Sequence, residues 1–239
     1  RRSSDLLKEE NSNYYKVTTA EEFLTALTAV KKNKLPSVIE IAVDMNLGSE
    51  EVANFSSYSS VITAHTHQAQ THPALIASGV SKLSLKDMTD LTIFSSNGSS
   101  LKHVALDING ASNIIIRNIV FDELWEWDEE TSGDYDVNDW DYVTIQNGSN
   151  KIWIDHCTFY KAYDGIVDIK TNVTTATNVT VSWCEFLPGS ENNTFFNQMM
   201  NTLSGSPASY PYYKSLLDKG MTKDQIWWYA YGQKKTHLL

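Results

Sequence analysis

Four aspartates in one stretch, Asp139, Asp141, Asp164 and Asp168, have the type and spacing to hold a cation. Asp139 and Asp141 precede a run in which Ile152 and Ile154 alternate with Trp153; Asp164 and Asp168 follow it. Alternation over a short run reads as a half-buried strand. If such strands stack, the two pairs of carboxylates meet on one face, and their repulsion demands a counter-ion. An all-oxygen ligand set suits a hard ion, and calcium takes about 6–8 oxygens at about 2.3–2.6 Å. On a straight strand Asp164 and Asp168 would lie about 13 Å apart at ~3.3 Å per residue. The chain must therefore bend, and Gly165 is expected to permit it.

His156 is the side chain in this stretch most easily taken for a catalytic base. We read it as structural, because its flanking residues are of buried type. Neighbours in a strand also point to opposite faces, so Asp155 and His156 are expected to form no dyad.

The aspartates need elements that hold them. Three segments are copies of one pattern: NIIIRNIVF (113–121), KIWIDHCTF (151–159) and NVTVSWCEF (178–186). Aligned on the final Phe, Ile116, Ile154 and Val181 coincide, as do Ile119, Cys157 and Cys184. A fixed strand pattern at irregular spacing is the mark of a solenoid whose coils carry loops of variable length, a parallel β-helix. Periodicity alone leaves an ordinary β-sandwich open. In a β-helix equivalent residues stack about 4.8 Å apart, so Cys157 and Cys184 are expected to be neighbouring free thiols in an internal ladder.

Before the coils, Thr19 and Glu22 form a capping-box pattern. Phe23, Leu27 and Val30 follow on one helical face, with Lys31, Lys32 and Lys34 at the negative end and Pro36 as the stop. Ser37–Val43 reads as a strand with Ile39, Ile41 and Val43 on one face. Residues 122–141 hold a run of acids without Lys or Arg, mostly a solvated loop. Residues 187–231 break the strand pattern. They contain a short helical piece ending near Gly220, and their aromatics could flank a sugar-binding cleft. QKKTHLL (233–239) reads as the start of a further strand, so the chain is expected to continue past Leu239. The division is therefore one domain over 1–239: lead-in and capping helix to 36, coils over 37–186, an excursion over 187–231, and the next coil from 232.

The formal net charge of −10 argues against a nucleic-acid partner and against attraction to an anionic membrane. An acidic protein can still bind an acidic polymer if a metal reverses the local sign. No apolar run is long enough to span a bilayer. Two cysteines are too few for a disulfide scaffold.

The segments IIIRNIVF (114–121), WDYVTI (140–145), WIDHCTF (153–159), YDGIVDI (163–169), VTVSWCEF (179–186) and KKTHLL (234–239) together resemble the pectate lyases of polysaccharide lyase family 1. The resemblance covers most of the chain after about residue 36. It implies an all-β fold, a right-handed parallel β-helix with an N-terminal capping helix. It implies a secreted, extracellular, monomeric enzyme that cleaves pectin, as polygalacturonate, by calcium-dependent β-elimination. Carried over by position, the calcium ligands are Asp141, Asp164 and Asp168, with Asp139 as an accessory carboxylate. The substrate-binding lysine of the family's HDK-T motif falls on Lys235, or on Lys234 if the register slips, and Gln233 replaces the His of that motif. The family's catalytic base is an arginine in an R-x-P-x-x-R motif, expected beyond Leu239; Arg117 lies in an earlier strand and does not align with it. Two other readings compete: a metal-free hydrolase of the polygalacturonase kind with paired aspartates, and a calcium-stabilised β-helix that binds pectin without cleaving it.

Overall fold

The computed structural model describes residues 11–65, 78–124, 140–162, 164–190 and 192–229. A first strand, β1 (Tyr14–Val17), leads into helix α1 (Ala20–Asn33). Each coil then contributes short strands to three faces. The first coil carries β2 (Ser37–Ile41), β3 (Met45–Asn46), β4 (Ile62–Ala64) and β5 (Ser81–Ser84). The second carries β6 (Thr89–Phe94), β7 (Ser100–Lys102) and β8 (Val104–Asn109); the third, β9 (Ser112–Arg117), β10 (Val120–Asp122) and β11 (Val143–Gln146). The fourth carries β12 (Asn150–Asp155), β13 (Thr158–Phe159) and β14 (Val167–Ile169), and β15 (Thr177–Ser182) and β16 (Glu185–Phe186) open the next. Among the described residues these form a six-stranded sheet, β1-β2-β6-β9-β12-β15, and two five-stranded sheets, β16-β13-β10-β7-β3 and β14-β11-β8-β5-β4. Pairing is parallel except between β4 and β5. This is a parallel β-helix.

The repeats seen in the sequence are the coils. Ile116, Ile154 and Val181 are register partners, and so are Phe121, Phe159 and Phe186. The phenyl rings stack, Phe121 on Phe159 at 4.9 Å between centroids and Phe159 on Phe186 at 5.7 Å. Phe121 and Phe159 are fully buried, and burial of a side chain that size contributes about 1.5–3 kcal/mol. Cys157 and Cys184 are free thiols, the first buried and the second half-buried.

Helix α1 caps the first coil. Thr19 accepts from the Glu22 N–H, and Phe23, Leu24, Leu27 and Val30 face the core. The Glu22 carboxylate turns back to Thr18 rather than to Thr19. The helix ends on Lys34, left-handed at φ 55°, two residues before Pro36. β2 stops at Ile41, and Val43, expected on its buried face, is 40% exposed.

The described residues of the 187–231 excursion are more helical than the sequence reading allowed. α2 (Thr194–Gly205), α3 (Pro211–Asp218) and the short α4 (Lys223–Trp227) follow one another. Asn193 caps α2 by accepting from the Phe196 N–H, and Phe196, Met199, Met200 and Leu203 are its buried face. α3 stops just before Gly220, which is left-handed at φ 87°. Among the described residues no helix is long and apolar enough to cross a membrane.

Candidate active site

The β14-β11-β8-β5-β4 sheet positions the candidate site. Val143 and Ile145 of β11 are fully buried, so by alternation Thr144 and Gln146 face outward. Asp107, Thr144 and Asp168 are register partners on β8, β11 and β14, an outward row across three coils. Asp141 enters just ahead of β11. It is 2% exposed, and a buried carboxylate needs donors. Its Oδ1 accepts the Gly165 N–H at 2.8 Å, and its Oδ2 accepts the Thr144 hydroxyl at 3.1 Å.

The Lys170 ammonium lies 3.3 Å from Asp141 Oδ2 and 3.0 Å from Asp168 Oδ2. One cation therefore bridges two carboxylates from successive coils. Lys170 was missed in the sequence, although its spacing from Asp168 placed both side chains on one face. Beside this pair lies a second polar group. Asp107 accepts from Gln146 Nε2 at 2.7 Å and lies 3.9 Å from the Lys82 ammonium, while Asn172 donates to Gln146 Oε1. His65, Lys82, Asp141, Thr144, Gln146 and Lys170 are among the residues that line one cavity of about 120 Å³.

The four expected ligands fare differently. Asp141 and Asp168 converge on one cation. Asp164 is half-buried, and its N–H meets the Trp140 carbonyl at 3.5 Å. Its carboxyl does not complete a cluster with the other two: among the described residues no three His, Cys, Asp or Glu side chains group to hold a metal. Asp139 lies outside the described residues, as do Lys234, Lys235, Gln233 and most of the acidic run. The pair that does converge fits a hard cation, because its donors are all carboxylate oxygens and they already share one positive charge.

One local expectation is extended and one is corrected. The chain bends on either side of Gly165, as expected, but its φ is not positive and the need for glycine there is space. A Cβ there would sit 2.2 Å from Asp141 Oδ1, so only glycine lets that backbone reach the carboxylate. And Asp155 and His156 do touch, with His156 Nδ1 2.8 Å from Asp155 Oδ2. β12 ends at Asp155, and His156 is left-handed at φ 54°, which turns its ring back past the strand end instead of across the sheet. Asn118 and Trp183 occupy the same corner of adjacent coils with φ 53° and 54°. Asp155 Oδ2 is also 3.2 Å from Arg117 Nε, and Oδ1 accepts the Ser182 hydroxyl at 2.7 Å. This cluster belongs to the six-stranded sheet, a different face from Asp141.

A third charged group anchors the excursion. Asn193 donates to Asp122 at 3.2 Å and to Glu123 at 2.9 Å. Glu123 also meets Lys102 at 2.8 Å and His103 at 3.0 Å. Burial pushes the Asp122 carboxyl up, and the Glu123 charge beside it adds to this, to about 6. Burial would raise Glu123 too, but hydrogen bonds from His103 and Lys102 outweigh it and bring the group down to about 2.

Comparison with known proteins gives the site its context. Pectate lyase B of Paenibacillus amylolyticus is 44% identical over 239 residues, 98% of this chain and 59% of that protein. Pectate trisaccharide-lyase of Thermotoga maritima is 41% identical over 106 residues, 44% of this chain and 27% of that protein. The solved pectate lyase of Paenibacillus sp. 0602 superposes with a TM-score of 0.85 at 42% identity, over 97% of this chain and 51% of that one. The chain thus spans 59% and 51% of the two long relatives it matches. A family profile described as pectate lyase matches residues 10–194. Since that profile runs from the lead-in of the capping helix through every described coil, the chain belongs to the pectate lyase family.

Proposed function

We propose that the protein is a calcium-dependent pectate lyase that cleaves polygalacturonate by β-elimination, acting as an extracellular monomer. The observation that carries this reading is the convergence of Asp141 and Asp168 on a single cation at the rim of a polar cavity, in a chain of the pectate lyase family. Asp141 and Asp168, with Asp164 and Asp139 as further carboxylates, would hold calcium. Bound there, calcium would polarise a uronate carboxylate and acidify the proton on the neighbouring C5.

The chain's own residues bind and orient. Lys170 and Lys82 line the cavity and supply positive charge for a uronate carboxylate, and Lys235 takes the same part on the resemblance. Gln146, held by Asp107, presents amide chemistry to sugar hydroxyls. In the elimination a base takes the C5 proton, the C4–O4 bond breaks, its electron pair leaves with the oxygen, and a C4–C5 double bond forms without consuming water. The resemblance assigns the base to an arginine. An arginine's ordinary pKa is about 12.5 or above, so it needs neighbouring positive charge to lose its proton. Arg117 does not serve, because it is engaged with Asp155 on another face.

The test is the ultraviolet absorbance of the unsaturated product on polygalacturonate. Absorbance should rise with calcium, stop on chelation and return on re-addition. Chain cleavage without absorbance, or cleavage indifferent to chelation, overturns the reading.

A further inference from the structure

The excursion carries a groove unlike the rest of this acidic chain. Helix α2 contains no charged residue. Its outward face is a stripe of amides and hydroxyls: Thr194, Asn197, Gln198, Asn201 and Thr202 line one open depression of about 580 Å³. Asn197 is shared with a second cavity of about 350 Å³, whose other lining residues are Met200, Lys223, Asp224, Trp227 and Trp228. The two cavities therefore lie side by side along α2. The indole of Trp228 is 49% exposed and stands edge-on to the buried Trp227, with centroids 5.0 Å apart. Lys223 donates to Asn201 at 2.7 Å, and Asp224 sits beside it in sequence, so the two charges in the groove balance.

We propose that this groove binds uncharged stretches of the pectin chain, uronates whose carboxyls are esterified. The inference rests on the proposed function for its polymer but deepens it, because it assigns a substrate class to the excursion. The chemistry is that of a pyranose. Sugar hydroxyls donate and accept, and amide and hydroxyl side chains do both. The C–H face of the ring carries partial positive charge and suits the negative face of an exposed indole. A concave site with an aromatic wall and a few converging polar groups is the usual form of a small-ligand pocket. Charge complementarity selects the esterified form. The Asp141 face offers Lys170 and Lys82 to a free carboxylate, whereas the α2 groove offers no net charge. The two sites would hold different parts of one partly esterified chain.

The experiment is calorimetric titration of the full protein in a calcium chelator with three oligomers: fully methyl-esterified oligogalacturonide, the same oligomer de-esterified, and a neutral galactan oligomer. The esterified oligomer should bind best. Trp228→Ala should weaken it about tenfold or more, and Trp228→Phe should recover part of the loss. Asp141→Asn should bind it as the unaltered protein does. Cleavage of unesterified polygalacturonate with calcium should be unchanged in Trp228→Ala, which separates failure here from failure of the lyase reading. Tightest binding of the de-esterified or galactan oligomer, no binding of the esterified one, or affinity indifferent to Trp228 overturns the proposal.

Discussion

Two outward faces of this β-helix each hold a buried carboxylate beside a cation, and they differ in how the carboxylate is closed. On the six-stranded sheet, Asp155 is 1% exposed. Arg117, His156 and Ser182 surround it at 3.2, 2.8 and 2.7 Å. Three side chains from three successive coils hold it in place, as a structural tie should. On the other face, Asp141 and Asp168 share one lysine ammonium, and that lysine lines a cavity. Two negative charges meet one positive charge with room beside them. The first arrangement is a tie within the sheet; the second lines an open cavity. Both contain an aspartate next to a basic side chain, so residue types alone do not tell them apart. Access to a cavity does.

The comparison can be broken by mutation. The largest effect is expected at Asp141. On the proposed function Asp141→Asn should lower lyase turnover roughly a hundredfold or more, since it would remove a carboxylate that holds the charge-stabilising calcium; steady-state kinetics at saturating calcium measures this. Asp155→Asn should leave turnover of the folded enzyme unchanged but cost about 1–3 kcal/mol of stability, the price of unpaired buried groups, read by denaturant unfolding. If the two variants exchange behaviours, the assignment of open and closed faces is wrong.

Gly165→Ala sharpens the open face. The added methyl would meet Asp141 Oδ1 at 2.2 Å, and forced overpacking costs about 1–3 kcal/mol. We expect that loss in unfolding experiments, together with weaker calcium binding. Lys170→Met tests the shared cation. Without the ammonium the two carboxylates repel, so the calcium-free variant should melt lower than the unaltered protein, and calcium should raise its Tm by more. An equal calcium-induced shift in both proteins would show that Lys170 does not stand between the carboxylates.

The smallest expected effect is at the excursion anchor. Asp122 has a folded pKa raised from 3.8 to about 6. The folded state then binds more protons than the unfolded state, so the group's contribution to stability falls as pH rises from about 4 to 6. Asp122→Asn removes that dependence. The Tm of the variant minus that of the unaltered protein should therefore increase across this interval. Glu123 has the opposite sign: its stabilisation is present above its ordinary pKa and is lost as pH falls toward 2.

The coils were legible in the sequence because one face of each strand must be apolar and the ring at its end must meet the ring above. Ile116, Ile154, Val181 and the three phenylalanines repeat for that reason alone. The Asp155–His156 contact was not legible, because it depends on a left-handed corner at a residue whose type gives no warning of it. The role of Gly165 was readable only as flexibility, since the approach of Asp141 comes from another coil. Lys170 and α2 were within reach. Asp168 and Lys170 alternate along one strand, and Asn193 followed by Phe196, Met200 and Leu203 is a cap followed by a helical apolar face. Asp107 enters the site only through the register of β8 with β11, which no short motif records.

The most direct test of the open face is calcium titration by calorimetry on the unaltered protein, on Asp141→Asn and on Asp155→Asn. One saturable calcium site should appear in the unaltered protein and in Asp155→Asn, and it should disappear in Asp141→Asn. Calcium binding that survives in Asp141→Asn, or that is lost in Asp155→Asn, would contradict the placement of the metal between Asp141 and Asp168.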